Sequence, residues 1–203
     1  MKWLRSMLRM SNNLAENLFI ITAPSGAGKT TLIKNIIEFA ETNNEKVFFS
    51  VSHTTRSPRG NESDETDYFF ISEEEFKSNI DEGVYLEHAL VHGNLYGTPK
   101  KAINDHLQRG YKVLLEIDWQ GAMEILKTYP DAQSIFISPP SIEELHKRLH
   151  ERGLDSGEVI ANRIEGAKLE MEKSSKFKYQ IINNSLETAF KNLLNIIFRE
   201  KHG

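Results

Sequence analysis

Residues Ala23-Pro24-Ser25-Gly26-Ala27-Gly28-Lys29-Thr30 form a pattern suited to holding phosphate. Glycines at 26 and 28 let the backbone approach anionic oxygens with its N–H groups turned inward. A helix opening at Lys29 would add the partial positive charge of its N-terminus. Lys29 would reach the β- and γ-phosphates of ATP, and the Thr30 hydroxyl would help hold Mg²⁺. Thr31 adds a donor for the α-phosphate. The first glycine of the usual pattern is Ala23 here. The pattern lies between an apolar strand run and a helical pattern, the context it requires, so a bare glycine-rich turn is the weaker explanation. It implies nucleotide binding and leaves the acceptor open.

Arg56 and Arg59, three residues apart, flank Pro58 in Ser52-His53-Thr54-Thr55-Arg56-Ser57-Pro58-Arg59. Planar guanidinium donors at that spacing suit a multidentate clamp on an oxyanion. Ser52, Tyr68 and Tyr96 carry hydroxyls that could join it. On their own these residues fit a solvated loop at least as well. Glu116 and Asp118 lie two apart on a strand, so they share a face. A carboxylate at the end of an apolar strand, beside a phosphate loop, commonly serves Mg²⁺, often through water. For Glu116, neutralisation of a nearby arginine is an equal alternative. Arg148, Arg152 and Arg163 flank a break at 153–157. Such arginines can meet the charge of a transferring phosphoryl group, and a charged helix surface is the plainer alternative. His146 and His150 have metal-ligand spacing but no third ligand, so a solvated helix face is expected.

The elements that must position these groups alternate apolar runs with helical patterns, as in an α/β protein. Residues 18–23 read as a buried strand, and 29–41 as a helix with Leu32, Ile33, Ile36, Ile37 and Ala40 at helical spacing. Further strands are expected over 47–52, 68–71, 84–90, 112–117, 134–138 and 179–182, with a polar loop over 53–67. Ser72 with Glu75, and Ser141 with Glu144, mark helix starts. Thr98 and Pro99 predict an N-cap and first helical residue of a helix ending at Gly110. Helices are also expected over 118–129, 156–173 and 186–199. Phe48, Phe49, Phe69 and Phe70 are expected in the core.

The 203 residues suffice for one medium domain. Hydrophobic residues at 39% and charged residues at 27% describe a soluble globular chain. A net charge of −4 argues against a general nucleic-acid binder. The absence of cysteine excludes disulfides and thiolate metal sites and fits a reducing, cytoplasmic compartment. No apolar run approaches the ~20 residues that span a bilayer, so no membrane partner is expected. The basic, amphipathic N-terminus lacks the apolar core of a secretory signal. Residues 1–17 are expected to form a flexible tail, with Met10 an alternative start.

Three more segments change the weight of these alternatives: Gly93-Asn94-Leu95-Tyr96-Gly97-Thr98, Tyr85-Leu86-Glu87-His88-Ala89 and Leu115-Glu116-Ile117-Asp118-Trp119-Gln120-Gly121. With these and the signature over 52–59, the chain strongly resembles guanylate kinases from about residue 18 to residue 199. The resemblance implies a P-loop kinase core with a parallel sheet flanked by helices, over 18–51, 99–145 and 174–200. It implies an inserted mixed α+β GMP-binding subdomain at 52–98 and a helical lid at about 146–173. The implied reaction moves the γ-phosphoryl group of ATP, bound with Mg²⁺, onto GMP, and onto dGMP as well.

By resemblance, Ser52, Arg56, Arg59, Tyr68 and Tyr96 grip the GMP phosphate, and Glu87 and Thr98 read guanine. Asp118 matches the family's acid and is expected at both GMP and the metal, with Thr30. Glu116, counted with the GMP-binding residues, stands where the family usually has Asp. Lys29, Arg148, Arg152 and Arg163 are the expected catalytic groups. Asn183 looks like an adenine contact beside the ATP-binding residues 23–31. The loop after Arg59 has Asn61 and Glu65 where the family usually carries glycines.

Guanine chemistry supports Glu87, because one carboxylate can accept both N1–H and the N2 amino group. Adenine would leave it unpaired or repelled, a discrimination worth roughly 10⁴-fold. Two rivals remain at this stage. One is a kinase for another nucleoside monophosphate. The other is a guanylate-kinase-like module that holds protein partners without activity, although such modules usually lack a working phosphate loop. Homo-oligomerisation is left open.

Overall fold

The computed structural model describes residues 14–199, apart from 61, 92 and 154. The expected tail and its alternative start fall largely outside the described residues. Within 14–18, Ala15 is buried and the Asn17 N–H donates to the Leu14 carbonyl. The chain divides into two compact units. The first is built mainly of Lys46–Leu115 and Gln120–Ala132. The second comprises Phe19–Glu45, Glu116–Trp119 and the chain from Gln133 onward.

The strands of the α/β core are β1 (Leu18–Thr22), β2 (Val47–Ser50), β7 (Lys112–Glu116), β8 (Gln133–Ser138) and β9 (Tyr179–Ile182). In the second unit β8 pairs in parallel with β1 and with β9. Ile20, Ile21, Ile135, Phe136 and Ile137 are fully buried, as continuous apolar runs in a parallel sheet should be. Helix α1 (Lys29–Thr42) buries Leu32, Ile33, Ile36 and Ala40 at helical spacing. Helices α5 (Ile142–Arg152) and α6 (Gly157–Glu172) are capped by Ser141 and Ser156. They pack through Leu145, Leu149, Ile160, Ile164 and Ala167. The closing helix α7 (Leu186–Ile197) starts at the Ser185 cap.

In the first unit β2 and β7 pair in parallel. Beside them stands a four-stranded sheet in the order β4-β3-β6-β5. Its strands are β3 (His53–Thr54), β4 (Phe69–Phe70), β5 (Tyr85–Val91) and β6 (Asn94–Pro99). Strands β5 and β6 are antiparallel, with Glu87 opposite Thr98 and Ala89 opposite Tyr96. Helix α2 (Glu73–Asp81) is capped by Ser72 and buries Phe76 against the Tyr85 ring, 4.6 Å between centroids. A Cβ at Gly97 would come within 2.9 Å of both rings, so only glycine lets strand β6 pass there. Helices α3 (Lys100–Gln108) and α4 (Trp119–Thr128) complete the alternation.

Three expectations need correction. Residues 53–54 lie in a strand, not a loop; two polar residues are too short a run for alternation to show. Pro99 ends β6 in an extended conformation and caps α3, whereas it was expected as the first helical residue. Thr98 does not cap that helix, because its hydroxyl is bonded to Glu87 instead. The four phenylalanines are half-buried; Phe48 stacks on His106 at 3.7 Å and Phe70 lies beneath Arg56. Among the described residues, no helix is long and apolar enough to cross a membrane.

Candidate active site

In the second unit, the turn from β1 to α1 is the phosphate loop. Gly26 and Gly28 adopt φ of 87° and 91°, which turns successive N–H groups to one side without Cβ strain. The Ala27 N–H closes the turn on the Pro24 carbonyl at 3.1 Å, and Gly28 is the N-cap of α1. Ala23 and Ala27 are buried, so the loop is packed from behind. Thr31 is exposed on the first turn of the helix.

Glu116, at the end of β7, accepts from Thr30 Oγ1 at 3.0 Å and lies 3.6 Å from Lys29 Nζ. The side chains of Lys29 and Glu116 are each about one-fifth exposed, so cation and carboxylate meet partly out of water. Glu116 thus meets the lysine and threonine of the loop. Thr22 ties the neighbouring segment down, donating to the Ile117 carbonyl at 3.1 Å.

The three arginines of α5 and α6 have different surroundings. Arg163 on α6 donates to Ser25 Oγ and pairs with Asp155 at 2.9 Å. Arg148 on α5 bonds Glu144 at 3.0 Å and the Asn183 carbonyl at 3.1 Å. Arg152 is exposed on the last turn of α5, before the left-handed Gly153. Asn183 is buried, and its side-chain amide donates to the Ala27 carbonyl at 2.8 Å. It therefore buttresses the loop from below.

Glu170 was not singled out from the sequence. Burial pushes its carboxyl up to about 7; the Lys29 charge opposes this and the Asp118 charge adds to it. Arg163, Ala167 and Glu170 recur at i, i+4 and i+7, one helix face, and that spacing was the signal available.

In the first unit, a second polar cluster sits on the four-stranded sheet. Glu87 on β5 and Thr98 on β6 are both buried, and the Thr98 hydroxyl donates to Glu87. Ser52 Oγ lies 3.5 Å from Thr98 Oγ1. Arg56 is buried, and its Nε donates to the Tyr96 hydroxyl at 3.0 Å. The Tyr68 ring packs edge-on to Tyr96 and lies 5.2 Å from the Arg56 guanidinium. Arg59 is exposed. Burial alone would lower the Arg56 proton affinity, but hydrogen bonds to Glu62 and Tyr96 hold it above the ordinary arginine value. Glu62 is the second residue missed; nothing in the sequence separates it from the other acids of the loop. Glu65 takes φ 64°, a left-handed conformation that glycine adopts most easily.

A strand–glycine loop–helix, a carboxylate at the end of β7 beside its lysine, and parallel α/β layers define a P-loop nucleotide kinase fold. The guanylate kinase family model matches residues 15–200. The chain is 48% identical over 181 residues to a guanylate kinase of Methylobacillus flagellatus, covering 89% of this chain and 88% of that one. It is 46% identical over 186 residues to a guanylate kinase of Haemophilus influenzae, covering 91% and 88%. A solved guanylate kinase structure from Anaplasma phagocytophilum superposes with a TM-score of 0.76 at 33% identity, covering 92% of this chain and 86% of that one. The chain belongs to the guanylate kinase family.

Proposed function

We infer that the chain is an ATP:GMP phosphotransferase, giving ADP and GDP. The observation that carries the choice of acceptor is Glu87, a buried carboxylate on a strand, held by Thr98 in the sheet that also bears Tyr96. A carboxylate withdrawn from water needs donors to offset its desolvation. Guanine brings two adjacent donors, N1–H and the N2 amino group, and adenine brings neither in that place. Ser52, Arg56, Arg59, Tyr68 and Tyr96 then take the GMP phosphate.

ATP occupies the phosphate loop, residues 23–31, with Lys29 on its β- and γ-phosphates and Asn183 beside the adenine. The oxygen-only donors at this loop, Thr30, Glu116 and Asp118, fit a hard cation, and Asp118 serves it with Thr30. Held there by Thr30 and Asp118, Mg²⁺ would supply neutralisation of phosphate charge. The attacking group is an oxygen of the GMP phosphate, already ionised near neutral pH, so the chain supplies no general base. Its contribution is alignment and charge compensation by Lys29, Arg148, Arg152 and Arg163. The cytoplasm, where both nucleotides are abundant, is the proposed compartment.

ADP release from Mg-ATP, measured against GMP, dGMP, AMP, UMP, CMP and dTMP, tests this assignment. GMP and dGMP should turn over, and the others should stay at least about 10³-fold slower in kcat/KM. Comparable turnover of AMP would remove the guanine assignment.

A further inference from the structure

Arg56 is only 7% exposed, and its guanidinium is held from several directions. Nε donates to the Tyr96 hydroxyl at 3.0 Å, and Nη1 donates to the Ser57 carbonyl at 2.7 Å. The two terminal nitrogens donate in parallel to Glu62, Nη1 to Oε2 at 2.8 Å and Nη2 to Oε1 at 3.0 Å. The Tyr68 and Phe70 rings lie 5.2 and 5.8 Å from the guanidinium carbon. A guanidinium has five N–H groups. Four are committed, and one on Nη2 is left for a ligand.

The same carboxylate does a second thing. Glu62 Oε2 accepts the Arg59 backbone N–H at 2.7 Å, so one side chain bridges both arginines of the clamp. Burial would raise the Glu62 carboxyl, but the Arg56 and Arg59 bonds hold it below the ordinary carboxylate range. Arg56 is thus charge-compensated, whereas the Arg59 side chain is exposed.

We propose that Glu62 is the positioning residue of the GMP-phosphate clamp: it fixes the Arg56 guanidinium plane and the Arg59 main chain together, so that Arg56 offers one directed N–H and Arg59 supplies the net positive charge. The gain is preorganisation. An arginine already ordered loses little rotamer freedom when the phosphate arrives. A buried guanidinium without Glu62 would be both uncompensated and free to turn toward other acceptors.

The proposal rests on the assignment of GMP to this cluster, and calorimetry on the full-length protein separates the two. GMP and Mg-ATP affinities are measured for wild type, Glu62→Gln, Arg56→Ala and the double variant. Glu62→Gln should weaken GMP roughly tenfold and leave Mg-ATP within about twofold. In the Arg56→Ala background the same change should cost less than about twofold, because Glu62 acts through Arg56. Unchanged or tighter GMP binding by Glu62→Gln overturns the proposal. So does an undiminished effect without Arg56, or a parallel loss of Mg-ATP affinity. Failure of the wild type to bind GMP overturns the acceptor assignment along with it.

Discussion

The two polar clusters proposed for the nucleotides would hold anions by different means. The phosphate loop presents main-chain N–H groups, a helix terminus and one lysine, all within eight residues of sequence. The acceptor cluster presents side chains from two strands and the loops around β3, and two of its buried donors are held by carboxylates: Arg56 by Glu62, Thr98 by Glu87. A backbone cradle suits any phosphate chain, because every residue but proline has an N–H to offer. A side-chain cluster can distinguish one base from another, because its donors and acceptors are chosen individually.

The sharpest break between the clusters should come from Lys29→Ala and Glu87→Gln. Lys29→Ala should lower kcat by about 10³-fold or more and leave GMP affinity intact by calorimetry. Glu87→Gln should lower kcat/KM for GMP by roughly 10³–10⁴-fold with Mg-ATP affinity unchanged, since its new amide donor opposes those of guanine. If either change damages both nucleotides equally, the clusters are not separable in function.

Asn183→Ala comes next. It leaves the Ala27 carbonyl without its side-chain donor. The melting temperature should fall by on the order of 4 °C, and the KM for ATP should rise more than that for GMP.

The smallest effect concerns pH. Glu170 has a carboxyl raised to about 7 from an ordinary 4.5. The folded state therefore keeps a proton that the unfolded chain releases, so the Glu170 contribution to stability is fullest below about 4.5 and is lost as pH rises through about 7. Glu170→Gln should flatten that decline in thermal melts at pH 5, 6, 7 and 8, recorded without nucleotide or metal. An unchanged slope would show that the Glu170 carboxyl titrates normally.

The same contrast explains what could be seen in the sequence. The phosphate loop is contiguous, and its strand and helix flank it directly, so residue types and spacing were enough. The helix caps at Ser72 and Ser141 were legible for the same reason. The acceptor cluster joins positions 52, 56, 87, 96 and 98 through β-pairings, and only a resemblance could group them. Strands β3 and β6 were hidden by shortness, by Gly97 and by Pro99. Glu62 and Glu170 went unnoticed because a carboxylate in a polar loop or on a charged helix looks solvated until its neighbours are known.

The bond from Asn183 to Ala27 has a consequence for the newborn chain. The loop leaves the ribosome 156 residues ahead of its buttress. At ordinary elongation speeds that gap lasts roughly 8–30 s. During that interval the glycine turn lacks its Asn183 support, and the nascent polypeptide completes the turn only once Asn183 has been made.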